Sequence, residues 1–332
     1  MMGCKRMMNS KRMTGCKCIN EGGGAYGTIQ KTGYGRKKKE KIVFQNQMLH
    51  YGLYVPRPEA YFFGDIPWHW HDEFEFGHIL GGSMQYKTNH HEFILHEGDG
   101  IFVNSGVLHY LHPLEPVEDV RLQSQFFDRS FLAGASGSIL DIKYIAPVLE
   151  QKQLDAVPLY CSNAESAEFL EKMREGAELS IKGERFFELR LRSLFSQLWE
   201  MVYSWAMDEK KNETGYNALE DERIKQMLSY IQEHYSEKIT VQEIASSIHI
   251  SERECYRLFQ TSLGETPVEF MVSLRLQKAQ ELLRYTDKSI LEIAVETGFG
   301  TSSYFGKIFK QYHHITPKQY KKLNFDRKEN NE

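Results

Sequence analysis

Long hydrophobic runs are missing from these 332 residues, and cysteine and proline are scarce. No stretch approaches the ~20 consecutive apolar residues needed to cross a bilayer. No apolar run follows the basic N-terminus as a secretory leader would. The five cysteines lack the close, even spacing of a disulfide scaffold. Cys161 and Cys255 stand far from any partner in sequence, which suits a reducing compartment. The expectation is a cytoplasmic chain with no membrane partner. An excess of positive charge is missing too: 41 Lys+Arg face 45 Asp+Glu, a net charge of -4. That excludes a uniformly basic nucleic-acid coat, but only a docking face has to be basic. Residues 251–328 carry 13 Lys/Arg against 9 Asp/Glu, a local +4. The length exceeds the ~250–300 residues at which single cores stop growing, so more than one domain is expected.

What is present, between residues 239 and 323, is one helical pattern written twice. Ile239-Thr-Val-Gln-Glu-Ile-Ala, then Ser251-Glu-Arg-Glu-Cys-Tyr-Arg-Leu-Phe-Gln and Thr266-Pro267, is answered by Ser289-Ile-Leu-Glu-Ile-Ala, Thr301-Ser-Ser-Tyr-Phe-Gly-Lys-Ile-Phe-Lys and Thr316-Pro317. The offset grows by one along the copy, so the second turn holds one extra residue. A repeat of this length is one supersecondary unit used twice. Thr240-x-x-Glu243, Ser251-x-x-Glu254 and Ser289-x-x-Glu292 are capping boxes. Thr266-Pro267 and Thr316-Pro317 place a capping hydroxyl before a proline at the first helical position. A short helix, a tight turn and a second helix form a helix-turn-helix, whose second helix enters a DNA major groove. A striped helix over about 268–284 joins the two units.

Residues 275–322, from Arg-Leu-Gln-Lys-Ala-Gln-Glu-Leu-Leu through Ile-Ala-Val-Glu-Thr-Gly-Phe to Ile-Thr-Pro-Lys-Gln-Tyr-Lys-Lys, resemble the signature of the AraC/XylS family of bacterial transcription regulators. With the first motif the resemblance covers about 100 residues. It departs from the family at His314, where glycine is usual.

The rest of the chain divides by period. Residues 1–41 hold 11 Lys/Arg against 2 Glu and little apolar periodicity, which predicts a disordered basic extension. Translation beginning upstream of the usual start would explain it, and a DNA-touching arm is the alternative. Cys4, Cys16 and Cys18 lack a second ligand pair for a metal site. From 42 to 137, short β-branched and aromatic runs separated by Gly81-Gly82, Asn89-His90 and Gly98-Asp99-Gly100 predict an antiparallel barrel. Inside it, His69-x-His71-x3-Glu75 and the later Gly98-x5-Asn104-x-Gly106-x2-His109 resemble the two motifs of the cupin barrel. By that resemblance His69, His71, Glu75 and His109 are metal-ligand positions, able to hold a divalent Zn, Mn, Fe or Ni ion. The same side chains can instead contact a small molecule directly or simply satisfy one another. Trp70 and Tyr86, with Trp68, Phe74 and Phe76, offer aromatic surface for a sugar-like ligand, or else core.

Residues 138–207 turn helical, with Leu191, Leu194, Phe195, Leu198 and Val202 on one stripe. That stripe either dimerises or covers the barrel. Residues 208–218 read as a linker, and 219–325 as the DNA-binding domain, opening on a helix that buries Ile224, Met227, Leu228, Ile231 and Tyr235. On the first recognition helix Arg253, Tyr256 and Arg257 face outward. On the second, Ser302, Ser303 and Lys307 do so, with Tyr304, Phe305 and Phe309 in the core. Arginine can hold guanine bidentately, so the first helix is expected to carry more of the specificity. Two such helices on one rigid connection would enter grooves roughly 34 Å apart.

The fold class expected is therefore two-domain: an all-β cupin-like barrel with accessory helices, then an all-α domain with two helix-turn-helix units. The function expected is a non-enzymatic, sequence-specific regulator of promoter DNA. It would be an activator meeting RNA polymerase, a homodimer, and controlled by a small molecule such as a carbohydrate. The alternatives are a metal-dependent cupin enzyme with an accessory DNA-binding domain, and a regulator without a ligand.

Overall fold

The computed structural model describes residues 42, 44, 46, 48–55, 64–151, 153–207 and 217–322. The expectations for residues 1–41 and for most of the linker lie outside them. Among the described residues, nine strands form two antiparallel sheets. β1 (Tyr51–Tyr54), β8 (Arg121–Phe127), β3 (Phe74–Gly81), β6 (Gly100–Val103) and β9 (Ala156–Leu159) make the larger one in that spatial order. β2 (Ile66–His69), β7 (His109–Pro113), β4 (Ser83–Thr88) and β5 (Glu92–His96) make the smaller. Their facing sides enclose Ile66, Ile79, Met84, Tyr86, Leu95, Ile101, Val103 and Leu111. The barrel expected from the strand spacing is present. β9, however, falls within the stretch expected to be helical; it pairs with β6 and forms one edge of the larger sheet.

Strand alternation decides what each side chain meets. Along β3, Phe74 and Phe76 point outward and pack with Phe102 and Phe127 beneath a helical layer, while Glu75 and Ile79 point inward. The helical layer follows the barrel: α1 (Arg129–Ala133), a π-helical turn over Asp141–Ile145, α2 (Ala146–Glu150), α3 (Ala164–Lys182) and α4 (Phe187–Met207). The apolar stripe of α4 is buried within the chain, with Leu191, Phe195, Leu198 and Val202 joining the aromatic core of the large sheet. Of the two uses expected for it, the structure shows barrel cover.

The C-terminal domain is helical throughout: α5 (Ala218–His234), α6 (Val241–Ser246), α7 (Glu252–Leu263), α8 (Pro267–Tyr285), α9 (Ile290–Glu296), α10 (Ser302–His313) and a helical stretch over 317–322. Asn217 caps α5, so the last two residues assigned to the linker already belong to that helix and its cap. Reciprocal capping boxes form at Thr240/Glu243, Thr266/Glu269 and Ser289/Glu292. At Ser251 half of the box forms, because the Glu254 carboxylate turns to Arg257.

Both turns are closed by the same bond, Ile250 N–H to Ala245 O (3.0 Å) and Phe299 N–H to Ala294 O (2.8 Å). The extra residue is therefore Gly300, at φ 75°, which donates a second bond to Ala294 O. His314 ends α10 in the left-handed region at φ 58°, where the first copy has Gly264 at φ 73°. The departure from the family pattern keeps the turn and accepts the strain. Arg275, buried in α8, donates from Nε to Tyr235 O (2.7 Å) and from Nη2 to Glu237 O (2.7 Å). It thereby ties α8 to the cap of α5 and to the turn that follows.

Candidate functional site

Four polar residues converge inside the barrel. His69 and His109 are register partners across β2 and β7 of the small sheet. Glu75 reaches in from the centre of the large sheet, and His71 comes from the connection between β2 and β3. All four are buried, and the ligand-type atoms of the three histidines lie within 4.8 Å of one another. The four expected together are together.

The histidines are held in one tautomer. Nδ1 of His69 donates to Pro67 O (2.8 Å), Nδ1 of His71 to Glu73 O (3.0 Å) and Nδ1 of His109 to Val107 O (2.8 Å). A carbonyl can only accept, so each Nδ1 carries its proton and each neutral ring keeps a lone pair on Nε2. Glu75 Oε2 lies 3.4 Å from His71 Nε2 and 3.5 Å from His109 Nε2. The buried His109 Nε2 has no hydrogen-bond partner. Glu75 Oε1 accepts from Ser124 Oγ (2.7 Å), and Tyr86 Oη lies 3.4 Å from Oε2. Burial alone would raise the Glu75 carboxyl, but once His109 and His71 are protonated at Nε2 their imidazoles outweigh it and hold the group well below the usual carboxylate range. Acceptors facing acceptors are unfavourable unless a cation or added protons lie between them. Nδ1–carbonyl anchors of this kind also orient metal-binding imidazoles. The donor set fits a divalent transition metal.

The aromatic expectation needs correcting. Tyr86 does stand at the cluster, its ring stacked on His109 at 5.7 Å. Trp70 and Trp68 point the other way. They flank His69, so alternation turns them out of the barrel and into a hydrophobic cluster with Ile224, Met227, Leu228, Phe259 and Phe270 of the C-terminal domain. Phe74 and Phe76 are consumed beneath α4.

The barrel and α5 are also joined by polar contacts. Asp221 accepts from Asn89 and lies 3.2 Å from His90 Nε2. Lys225 Nζ donates to Gly106 O (2.5 Å), and Gly106 N–H donates to His71 O (2.8 Å).

On α7, Cys255, Leu258 and Phe259 are buried and Arg253, Tyr256 and Arg257 are exposed, as expected. On α10, Ser302, Ser303 and Lys307 are exposed and Phe305 and Phe309 are buried. Tyr304, expected in the core, is 47% exposed. It shares the outer face with Ser303 and Lys307 and touches Phe299 at 6.0 Å. Arg257 is engaged by two carboxylates, Glu254 of its own helix and Glu220 of α5. Nothing in the local sequence around Arg257 signals the second.

A family model described as an AraC-like ligand binding domain matches residues 59–199, and one described as a helix-turn-helix domain matches 244–323. An uncharacterized HTH-type transcriptional regulator of Bacillus subtilis, YdeC, is 30% identical over 263 residues, covering 79% of this chain and 88% of the relative. The HTH-type transcriptional activator RhaS of Mannheimia succiniciproducens is 24% identical over 254 residues, covering 76% of this chain and 88% of the relative. Among solved structures, the DNA-binding domain of the global transcriptional factor AdpA, in complex with a target DNA, matches 32% of this chain and 95% of its own, at 25% identity and a TM-score of 0.31.

The duplicated helix-turn-helix and the barrel joined to it define a DNA-binding transcription regulator with a ligand-binding domain. The chain belongs to the AraC family of such regulators, and its class is regulatory and not enzymatic. No helix among the described residues is long and apolar enough to cross a membrane.

Proposed function

We propose that the chain is a cytoplasmic, effector-controlled activator that works as a homodimer on promoter DNA, where it meets RNA polymerase. Activation is supported by the similarity to the transcriptional activator RhaS. Dimerisation is supported by the outward Ile139, Leu140 and Ile142 beside a groove of ≈ 460 Å³ lined by Tyr144, Trp199 and Tyr203. DNA is met by Arg253, Tyr256 and Arg257 of α7 and by Ser302, Ser303, Tyr304 and Lys307 of α10, entering successive major grooves.

The effector is received at the histidine cluster. The observation that carries this is the set of three imidazoles with Nδ1 anchored and ligand-type atoms within 4.8 Å of one another, His109 Nε2 facing Glu75 without a hydrogen bond. His69, His71 and His109 would hold a divalent transition ion with Glu75 as a further ligand. Bound there, it would supply a positive centre with open positions for the oxygen atoms of a small molecule. Ser124 and Tyr86 hold and orient Glu75. A carbohydrate is one effector of that chemistry, recognised through its oxygens, since Trp68 and Trp70 are committed to the domain contact.

The test is a thermal-shift series on the full chain with divalent metals, sugars and both together. A ligand of the folded state raises Tm by mass action. The expected outcome is a metal-dependent rise of several degrees that His109→Ala removes. Unchanged melting in every combination would defeat the effector reading.

A further inference from the structure

Arg257 is held by two acidic residues that do different things to it. Glu254 takes Nε with Oε2 (2.8 Å) and Nη2 with Oε1 (2.7 Å), a two-pronged fork along one edge of the guanidinium. Glu220 Oε1 accepts from the same Nη2 at 2.8 Å. A guanidinium has five N–H donors, two of them on Nη2. Since the Glu254 fork uses the Nη2 hydrogen beside Nε, Glu220 uses the other one. That second hydrogen belongs to the far edge, formed by Nη1 and Nη2. Two parallel bonds to guanine O6 and N7 need a complete edge. With Glu254 on the near edge, the far edge is the one that can read a base, and Glu220 covers half of it.

The local geometry around Glu254 points the same way. Glu243, Glu269 and Glu292 each reach back to the amide of their own capping residue. Glu254 occupies the equivalent place in α7 and instead turns to Arg257. The reach-back half of a capping box is given up to orient one arginine. Glu220 comes from the first turn of α5, where its neighbour Asp221 is bonded to Asn89 and His90 of the barrel. It is thus placed by the sensor side of the molecule, 37 residues from Arg257 in sequence.

We propose that Glu254 is the positioning residue that aims Arg257 and that Glu220 is a gate over the edge with which Arg257 reads DNA. This rests on the reading that α7 contacts bases through Arg257. Withdrawing Glu220 completes the far edge while Glu254 keeps the side chain extended. Exchanging Glu220 for a base is favourable only when the base offers two acceptors side by side. The gate thus disfavours non-guanine sites more than guanine sites.

The test uses the full chain and a duplex chosen by the wild-type protein from a random-sequence library. Affinity is read by fluorescence anisotropy at several salt concentrations on that duplex and its single base-pair variants, with melting temperatures as the folding control. Arg257→Ala should weaken binding roughly tenfold or more and abolish discrimination at one G·C pair. Glu220→Gln should tighten binding by about two- to fivefold, the range for a half-exposed ion pair, and keep that discrimination. Glu254→Gln should weaken binding and blur the discrimination with no change in melting.

If Arg257→Ala alters neither quantity, the base-reading assignment fails. If it does but Glu220→Gln binds no tighter, the gate is overturned. A gain from Glu220→Gln that persists in the Arg257→Ala background also overturns it, because simple relief of repulsion from phosphate would act without Arg257. Full discrimination by Glu254→Gln overturns the positioning role.

Discussion

The two helix-turn-helix units share a plan and differ in what surrounds them. The first buries its core, Ile244, Ala245, Cys255, Leu258 and Phe259, in a cluster that includes Trp68, Trp70 and Leu108 of the barrel. The second buries Ile293, Ala294, Phe299, Phe305 and Phe309 in a cluster with α8 that draws nothing from the barrel. The first presents two arginines, one of them restrained by carboxylates from two helices; the second presents serines, a tyrosine and a lysine. The two copies therefore differ in coupling: the first is packed against the barrel and the second is not, among the described residues.

The turns give the sharpest way to break this comparison, since His249 and Gly298 occupy equivalent left-handed positions at φ 59° and φ 78°. A Cβ on Gly298 would lie 2.5 Å from Tyr235 O, and that carbonyl is already held by Arg275. Gly298→Ala should cost about 3 kcal/mol, backbone strain and collision together, read as a lower urea midpoint. His249 is exposed, so His249→Gly should be close to neutral, relief of strain offsetting added chain entropy. Equal penalties at the two sites would mean that the contact with Tyr235 O does not set the second turn apart from the first.

On DNA the asymmetry should appear as a difference in kind. Lys307→Ala should weaken binding about two- to threefold on every duplex and lower the salt slope by about one, the behaviour of a phosphate contact. Ser303→Ala should do less. Sequence-selective loss from Lys307→Ala, seen by anisotropy on matched and mismatched duplexes, would move specificity to the second unit.

The smallest effect concerns pH. Hydrogen bonding to Asp221 raises the His90 imidazole above its ordinary 6.5, more than burial lowers it, with Asp155 adding to the rise and His91 opposing it. A raised histidine contributes fully below its unfolded value and loses its contribution as pH rises through the folded one. The melting difference between wild type and Asp221→Asn should therefore be larger near pH 6 than near pH 8.5, by about 1 kcal/mol or less. A difference independent of pH would leave the contact to Asn89 alone.

Much of this is legible in the sequence. Capping boxes and Thr-Pro starts act over three or four residues, so the double unit could be read from Thr240, Ser289 and Thr266. The histidine cluster was legible through the resemblance of its two motifs to the cupin barrel, with which the shared parity of His69, His71 and Glu75 agrees; the pairing of His69 with His109 is a matter of register. What escaped depended on distant partners. The stripe of α4 announces a buried face without naming what covers it. Ala156–Leu159 becomes a strand because β6 offers an edge, not because four residues favour one. Trp70 reads equally as a sugar platform or as core in sequence, and the packing of the C-terminal domain makes it core. Tyr304 lies beside two core phenylalanines, and only the docked Phe299 shows which side it takes. Glu220 is invisible from Arg257 at any local scale.

Trp68, Trp70 and Leu108 belong by sequence to the barrel and by packing to the reader. Regulators of this architecture look like modules that recombination could shuffle, any sensor with any reader. Here the boundary in the chain and the boundary in the core do not coincide. A foreign reader grafted after residue 207 would leave two tryptophans without cover, and this reader moved elsewhere would carry an apolar wound on its first unit. Exchange of whole domains would therefore expose apolar surface that a change inside the barrel leaves covered.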